Sequence, residues 1–118
     1  MATAVKRKLS GSTDGKGVSI TATSTPGTLV HTAVTGTVAG TYDEIWLYAQ
    51  NNHTASVVLT IEWGSHDATD NIIVTIPAKS GLVPVMPGFI LQNAMDVNAF
   101  AATTAVIMLH GFVNKITD

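Results

Sequence analysis

The chain has 118 residues, and 12% of them are charged, against a usual share of about a quarter. Six Lys and Arg stand against eight Asp and Glu, so the net charge is −2, which excludes the strongly basic field of a general nucleic-acid binder. With 46% hydrophobic residues the chain is also unlike a disordered, highly charged one, and it is long enough to bury one core; without cysteine it has no disulfide, thiol nucleophile or Cys-ligated zinc.

Residues 1–16 read as an extended N-terminal arm. Lys6, Arg7 and Lys8 supply half of the positive charge, and Ser10–Gly17 is polar and turn-rich. No apolar h-region follows the basic residues, so the segment does not read as a signal peptide. No apolar run approaches the ~20 residues of a membrane-spanning helix. A soluble protein made in a cytoplasm is expected.

From Val18 onward, short β-branched and aromatic runs alternate with Gly, Pro, Asn and Asp. This predicts an all-β antiparallel sandwich over residues 17–118, with seven or eight strands. The predicted strands begin with Val18–Ser24, Thr28–Val34 and Glu44–Gln50. In the third, Ile45, Leu47 and Ala49 share one face, and Trp46, Tyr48 and Gln50 the other. Asn51-Asn52-His53 reads as a turn before Ala55–Trp63, where Val57, Leu59, Ile61 and Trp63 alternate with Val58, Thr60 and Glu62. Ile72–Ile76 follows a polar loop and ends at Pro77. Pro84 and Pro87-Gly88 divide Leu82–Leu91 into one or two short segments. Asp96–Ala101 is a further strand, although residues 92–103 also allow one helical turn. Thr104–Val113 is last and most apolar, with Ile107, Leu109 and Val113 opposite Val106, Met108, His110 and Phe112. A strand apolar on both faces needs cover on both, so a neighbouring subunit is expected to supply part of it.

No catalytic constellation emerges. His31, His53, His66 and His110 form no His-x-His pair of the kind a cupin-like metal site uses, and His31 and His110 read as hydrogen-bonded core or interface residues. His66-Asp67-Ala68-Thr69-Asp70 has two readings, a calcium loop or a solvated turn in which Asp67 and Asp70 bond the backbone, and the second is favoured. Gly64-Ser65-His66-Asp67 names triad residue types, but adjacency in sequence does not make them converge. Asn52-His53-Thr54 is a formal glycosylation sequon in a turn. No enzyme activity, cofactor or metal is expected. The basic triplet reads as a tether to an acidic neighbour or as a solvated tail.

Ile76–Gly88, Phe89–Ala101 and Ala105–Ile116, closing on Gly111-Phe112-Val113-Asn114-Lys115-Ile116, resemble the C-terminal part of small virion proteins of tailed bacteriophages. The resemblance covers roughly residues 42–116. It implies a jelly-roll-like sandwich acting as a structural piece of the particle. Capsid decoration (cement) proteins are the favoured subgroup. The implied partner is the major capsid protein, the implied state a homo-oligomer with trimer favoured, and the implied location the capsid surface. A tail, baseplate or neck protein, or a carbohydrate-binding module using Trp46, Tyr48 and Trp63, is the alternative. Candidate interface residues are Lys6, Arg7, Lys8, Trp46, Tyr48, Leu109 and Phe112. The low charge fits this reading, because a surface with few ions loses less hydration when covered.

Overall fold

The computed structural model describes residues 2–118. It contains β1 (Thr3–Lys8), β2 (Val18–Ser19), β3 (Thr28–Thr32), β4 (Tyr42–Asn51), β5 (Val57–Trp63), β6 (Asn71–Ile76), β7 (Val83–Leu91), β8 (Asp96–Ala101) and β9 (Ile107–Thr117). One short 3₁₀ turn, Ala68–Asp70, precedes β6. The strands form two antiparallel sheets, so the all-β sandwich expected from the pattern is present. One sheet runs β1-β9-β4-β7 with β2 also on β9, and the other runs β3-β8-β5-β6. The pairings nest. β1 and β2 meet β9, β3 meets β8, β4 meets β7, and β5 meets β6.

The core lies where the inward rows of the two sheets meet. β4 shows how the sequence builds it. Its buried row is Asp43, Ile45, Leu47, Ala49 and Asn51, and its half-buried outer row is Tyr42, Glu44, Trp46, Tyr48 and Gln50. The period of two follows from alternating Cα–Cβ directions along an extended chain. Apolar residues fill the middle of the inward row. Polar residues close its two ends and bond groups there that water no longer reaches.

The expected arm is not an arm. Thr3–Lys8 pairs along β9 from Thr117 to Phe112, and Leu9 is 1% exposed within the core. Ser12 is also buried, and its hydroxyl donates to the Lys16 carbonyl oxygen at 2.6 Å. The boundary near residue 16 therefore falls inside the folded body. A six-residue run whose only apolar residues are the neighbours Ala4 and Val5, followed by three cations, shows no period-two alternation that would reveal a partner more than a hundred positions away.

Other boundaries shift for local reasons. The expected strand Val18–Ser24 shrinks to Val18–Ser19, because the chain beyond it crosses to the other sheet. Leu82–Leu91 stays one strand through its prolines. β7 is a sheet edge, where a missing N–H loses no ladder bond, and the register shifts between Ile45 and Trp46 and between Leu47 and Tyr48. The helical turn allowed in 92–103 is absent. Asn93 and Ala94 instead take positive φ in the tight connection into β8. The last strand starts at Ile107 and runs to Thr117.

Candidate functional site

The outer face of the five-stranded sheet gathers most of the candidate interface residues. Lys8, Phe112, Trp46 and Pro87 stand in one cross-strand row over β1, β9, β4 and β7. Lys6, Asn114, Glu44 and Ile90 form the next row, and His110 and Tyr48 pair on the other side. Trp46 and Phe112 stack with centroids 6.1 Å apart and planes 13° from parallel. The Lys6 ammonium sits 4.7 Å from the Phe112 ring centroid, a cation–π geometry.

These rings are held in place. The Trp46 indole N–H donates to Glu44 Oε1 at 2.7 Å, and Asn114 Nδ2 donates to the same oxygen at 3.1 Å. Those two bonds, Trp46 first, hold the Glu44 carboxyl below its ordinary value against the opposing effect of burial. Gly88 has φ +79° and lets the indole lie against its backbone, since a Cβ there would come within 2.6 Å of the ring. Gly17 similarly leaves room for the His110 ring, which bonds Gln50 Oε1 through Nε2 at 2.9 Å. An aromatic surface fixed in this way loses little side-chain entropy on contact.

Leu109 does not belong to this surface. It is fully buried and shares the inward row of Ile107 and Val113, while Phe112 faces outward. The period of two separates them. Arg7 also parts from Lys6, pairing with Val113 and lining a cleft beside β1. Trp63 packs half-buried against the core, away from Trp46.

That cleft ends on a pair that sequence reasoning did not join. His31 is buried; its Nδ1 accepts the Ser10 backbone N–H at 3.0 Å. Nε2 therefore carries the ring proton and donates to Asp43 Oδ2 at 2.7 Å. The same oxygen accepts Val34 N–H at 3.1 Å. Ser, His and Asp thus meet here, but the arrangement is not a nucleophilic triad. The nitrogen that would take the serine proton is occupied by a main-chain N–H, and Ser10 Oγ accepts Thr32 N–H at 2.7 Å instead. His31 was expected as a hydrogen-bonded histidine; its partner twelve residues on has no sequence signature.

Glu62 is the second buried polar centre. It lies on the outer face of β5 but is only 1% exposed, covered by the segment before β3. Its carboxylate accepts Thr25 Oγ1–H at 2.5 Å and Gly27 N–H at 2.6 Å, and His66 Nδ1 lies 3.2 Å away. Burial opposes ionisation, but the bonds from Thr25, Gly27 and His66 outweigh it and keep the carboxyl below its ordinary value. The sign follows directly. A folded-state value below the unfolded one contributes stability above about pH 4.3, the ordinary glutamate value, and that stability disappears as pH falls through the folded value. Urea melts between pH 3 and pH 7 are expected to show this decline, and Glu62→Gln is expected to flatten it. An equally steep decline in the variant would remove Glu62 as its source.

The loop after β5 uses its polar side chains on itself. Ser65 Oγ–H donates to Asp70 Oδ2 at 2.6 Å, and Asp67 Oδ1 accepts Thr69 N–H at 3.2 Å to cap the 3₁₀ turn. Ser65 and His66 therefore point to different partners. Among the described residues no group of three or more His, Asp or Glu is placed to hold a metal ion, and no helix is long and apolar enough to cross a membrane.

No protein-family model matches the chain, and no curated protein or solved structure is significantly similar to it.

Proposed function

We propose that the chain is a structural virion protein of the capsid-decoration class, binding the capsid surface as an oligomer and bracing contacts between major capsid proteins. The observation that carries this reading is the half-buried aromatic face on the five-stranded sheet, where Trp46 and Phe112 are stacked, Tyr48 stands two residues along the same row of β4, and Lys6 lies over the Phe112 ring. The opposite sheet adds uncovered aliphatic surface, with Val58 and Ile73 exposed on neighbouring strands. A chain with 12% charged residues and apolar side chains on both outer faces is suited to work by burying surface. The nested strand pairing supports the jelly-roll form of the sandwich, with β1 and β2 taken as one interrupted strand. The C-terminal resemblance to phage virion proteins points the same way.

Each copy would add a modest interface, and capsid symmetry would multiply it. The test is sedimentation of the purified protein together with binding to empty capsids. A defined oligomer is expected, trimer being the favoured size. Trp46→Ala and Phe112→Ala are each expected to weaken the contact about 30-fold, the equivalent of ~2 kcal/mol at an aromatic hot spot. A strict monomer at high concentration that also ignores capsids would end this reading. Signal confined to the tail of labelled particles would move the protein to the tail or neck. Glycan binding abolished by Trp46→Ala would favour the attachment module.

A further inference from the structure

We propose that the free edge of β1 and the cleft beside it bind an acidic, extended segment of a partner protein. This site borders the aromatic face along β1, and its test does not depend on the virion assignment. The cleft has a volume of about 620 Å³, and its walls include Arg7, Lys8, Ser10, His31, Asp43 and Lys115.

The first argument is charge. Arg7 pairs with Val113 and Lys115 with Val5, so Arg7 and Lys115 are diagonal neighbours on one face of the β1–β9 ladder. Lys115 also pairs with Asp43 across β9 and β4, but Asp43 Oδ2 is already committed to His31 and to the Val34 N–H. Among the described residues, the two ion pairs both use histidine, and no Lys or Arg has a carboxylate partner within 4.0 Å. Three cations and one carboxylate therefore line the cleft. Lys6 lies on the other face of the same strand, so four of the chain's six Lys and Arg converge at this edge.

The second argument is the backbone. β1 has a single neighbour, β9, and all six of its side chains are exposed. Along such an edge, alternate residues present unpaired N–H and C=O groups to an incoming strand. A partner strand would point alternate side chains to opposite faces. Acidic residues on one face would meet Arg7 and Lys115, and those on the other would meet Lys6, while Lys8, whose ammonium lies 3.4 Å from the Ser12 carbonyl oxygen, stands at the cleft end of the strand. Ser10 adds a hydroxyl whose oxygen already accepts Thr32 N–H, leaving its proton to donate into the cleft. A second copy of β1 is the wrong occupant, because Lys6, Arg7 and Lys8 would face their own like charges.

The experiment titrates the full-length protein with a fluorescent ten-residue peptide alternating Glu and Thr. Its Lys/Thr counterpart and a short single-stranded oligonucleotide serve as comparisons. Saturable binding of the acidic peptide alone is expected. Arg7→Gln with Lys115→Gln is expected to weaken it at least about 10-fold, while Lys16→Gln with Lys79→Gln, an equal change of net charge at exposed sites, changes it less than about two-fold. Amide hydrogen exchange within Thr3–Lys8 is expected to slow at least about 10-fold on binding, which charge attraction alone would not produce. No binding, equal weakening by both double variants, unprotected β1 amides or tighter binding of the oligonucleotide would each overturn the proposal.

Discussion

Replacing Gly111 with alanine is expected to destabilise the fold by about 3 kcal/mol or more, lowering the thermal midpoint by ~10 °C. A Cβ at this position would collide with the Trp46 carbonyl oxygen and crowd the Leu47 backbone. Both belong to β4, which pairs with β9 continuously from Tyr42↔Ile116 to Asn51↔Ile107. A flexible side chain can rotate away from a new methyl group; a ladder of main-chain hydrogen bonds cannot, so the two central strands of the sheet would have to part. The same movement would disturb the Trp46–Phe112 stack. Gly81→Ala is the matched control, because a Cβ there meets nothing within 4 Å and φ is not in the left-handed region. Its stability is expected to stay within about 0.5 kcal/mol of the parent. Equal melting of the two variants would show that the close approach at Gly111 is not what constrains the sheet.

Asn51→Ala is expected to produce a loss of similar size, about 3 kcal/mol, by removing a polar clamp. Asn51 is 1% exposed, and its amide nitrogen lies 3.1 Å from the Ala55 carbonyl oxygen, 3.0 Å from that of Ile76 and 3.1 Å from that of Pro77. Its Oδ1 accepts His53 N–H at 2.8 Å, which shapes the turn between β4 and β5. Ile76 ends β6 in one sheet and Pro77 follows it, whereas Asn51 ends β4 in the other. The side chain therefore ties the two layers together at one end of the core. Without it, the buried Ile76 carbonyl loses its donor where no water replaces it cheaply, and the more exposed Ala55 and Pro77 carbonyls lose the contact that holds them to β4. Asn51→Asp is expected to be worse than alanine at neutral pH, because a carboxylate offers no proton and repels the same oxygens. Chemical denaturation of the three proteins at pH 7 gives the ranking. An aspartate variant as stable as the parent would show that those carbonyls are satisfied by another route.

Asn51 and Asp43 also mark how far the sequence can be read. The alternation that puts Trp46 and Tyr48 on one face of β4 and Ile45 and Leu47 on the other is visible in ten consecutive letters. The roles of the two polar residues at its ends are not. Each is defined by groups brought in from elsewhere: Asp43 by His31 and Val34, and Asn51 by Ile76 and Pro77. Alternation along β5 puts Glu62 on the face opposite Ile61 and Trp63, yet its burial comes from Thr25 and Gly27, thirty-five or more residues earlier. Parity already puts Leu109 and Phe112 on opposite faces of the last strand, but both faces are apolar, and only the packing of the second sheet decides that the Leu109 face is the core and the Phe112 face the surface.

Composition and period-two patterning were enough to determine an all-β chain, the alternating faces of its longest strands and a surface poor in charge. These are local properties, set by backbone sterics and by which side chains neighbouring residues share a face with. Tertiary structure alone decided that Thr3–Lys8 forms the edge of a sheet by pairing with the last strand. It also decided that Leu9 enters the core, and that Arg7 and Lys115 line one cleft while Lys6 rests on Phe112. The physical reason is that pairing partner and register in an antiparallel sheet are non-local, being selected by burial across nearly the whole chain length.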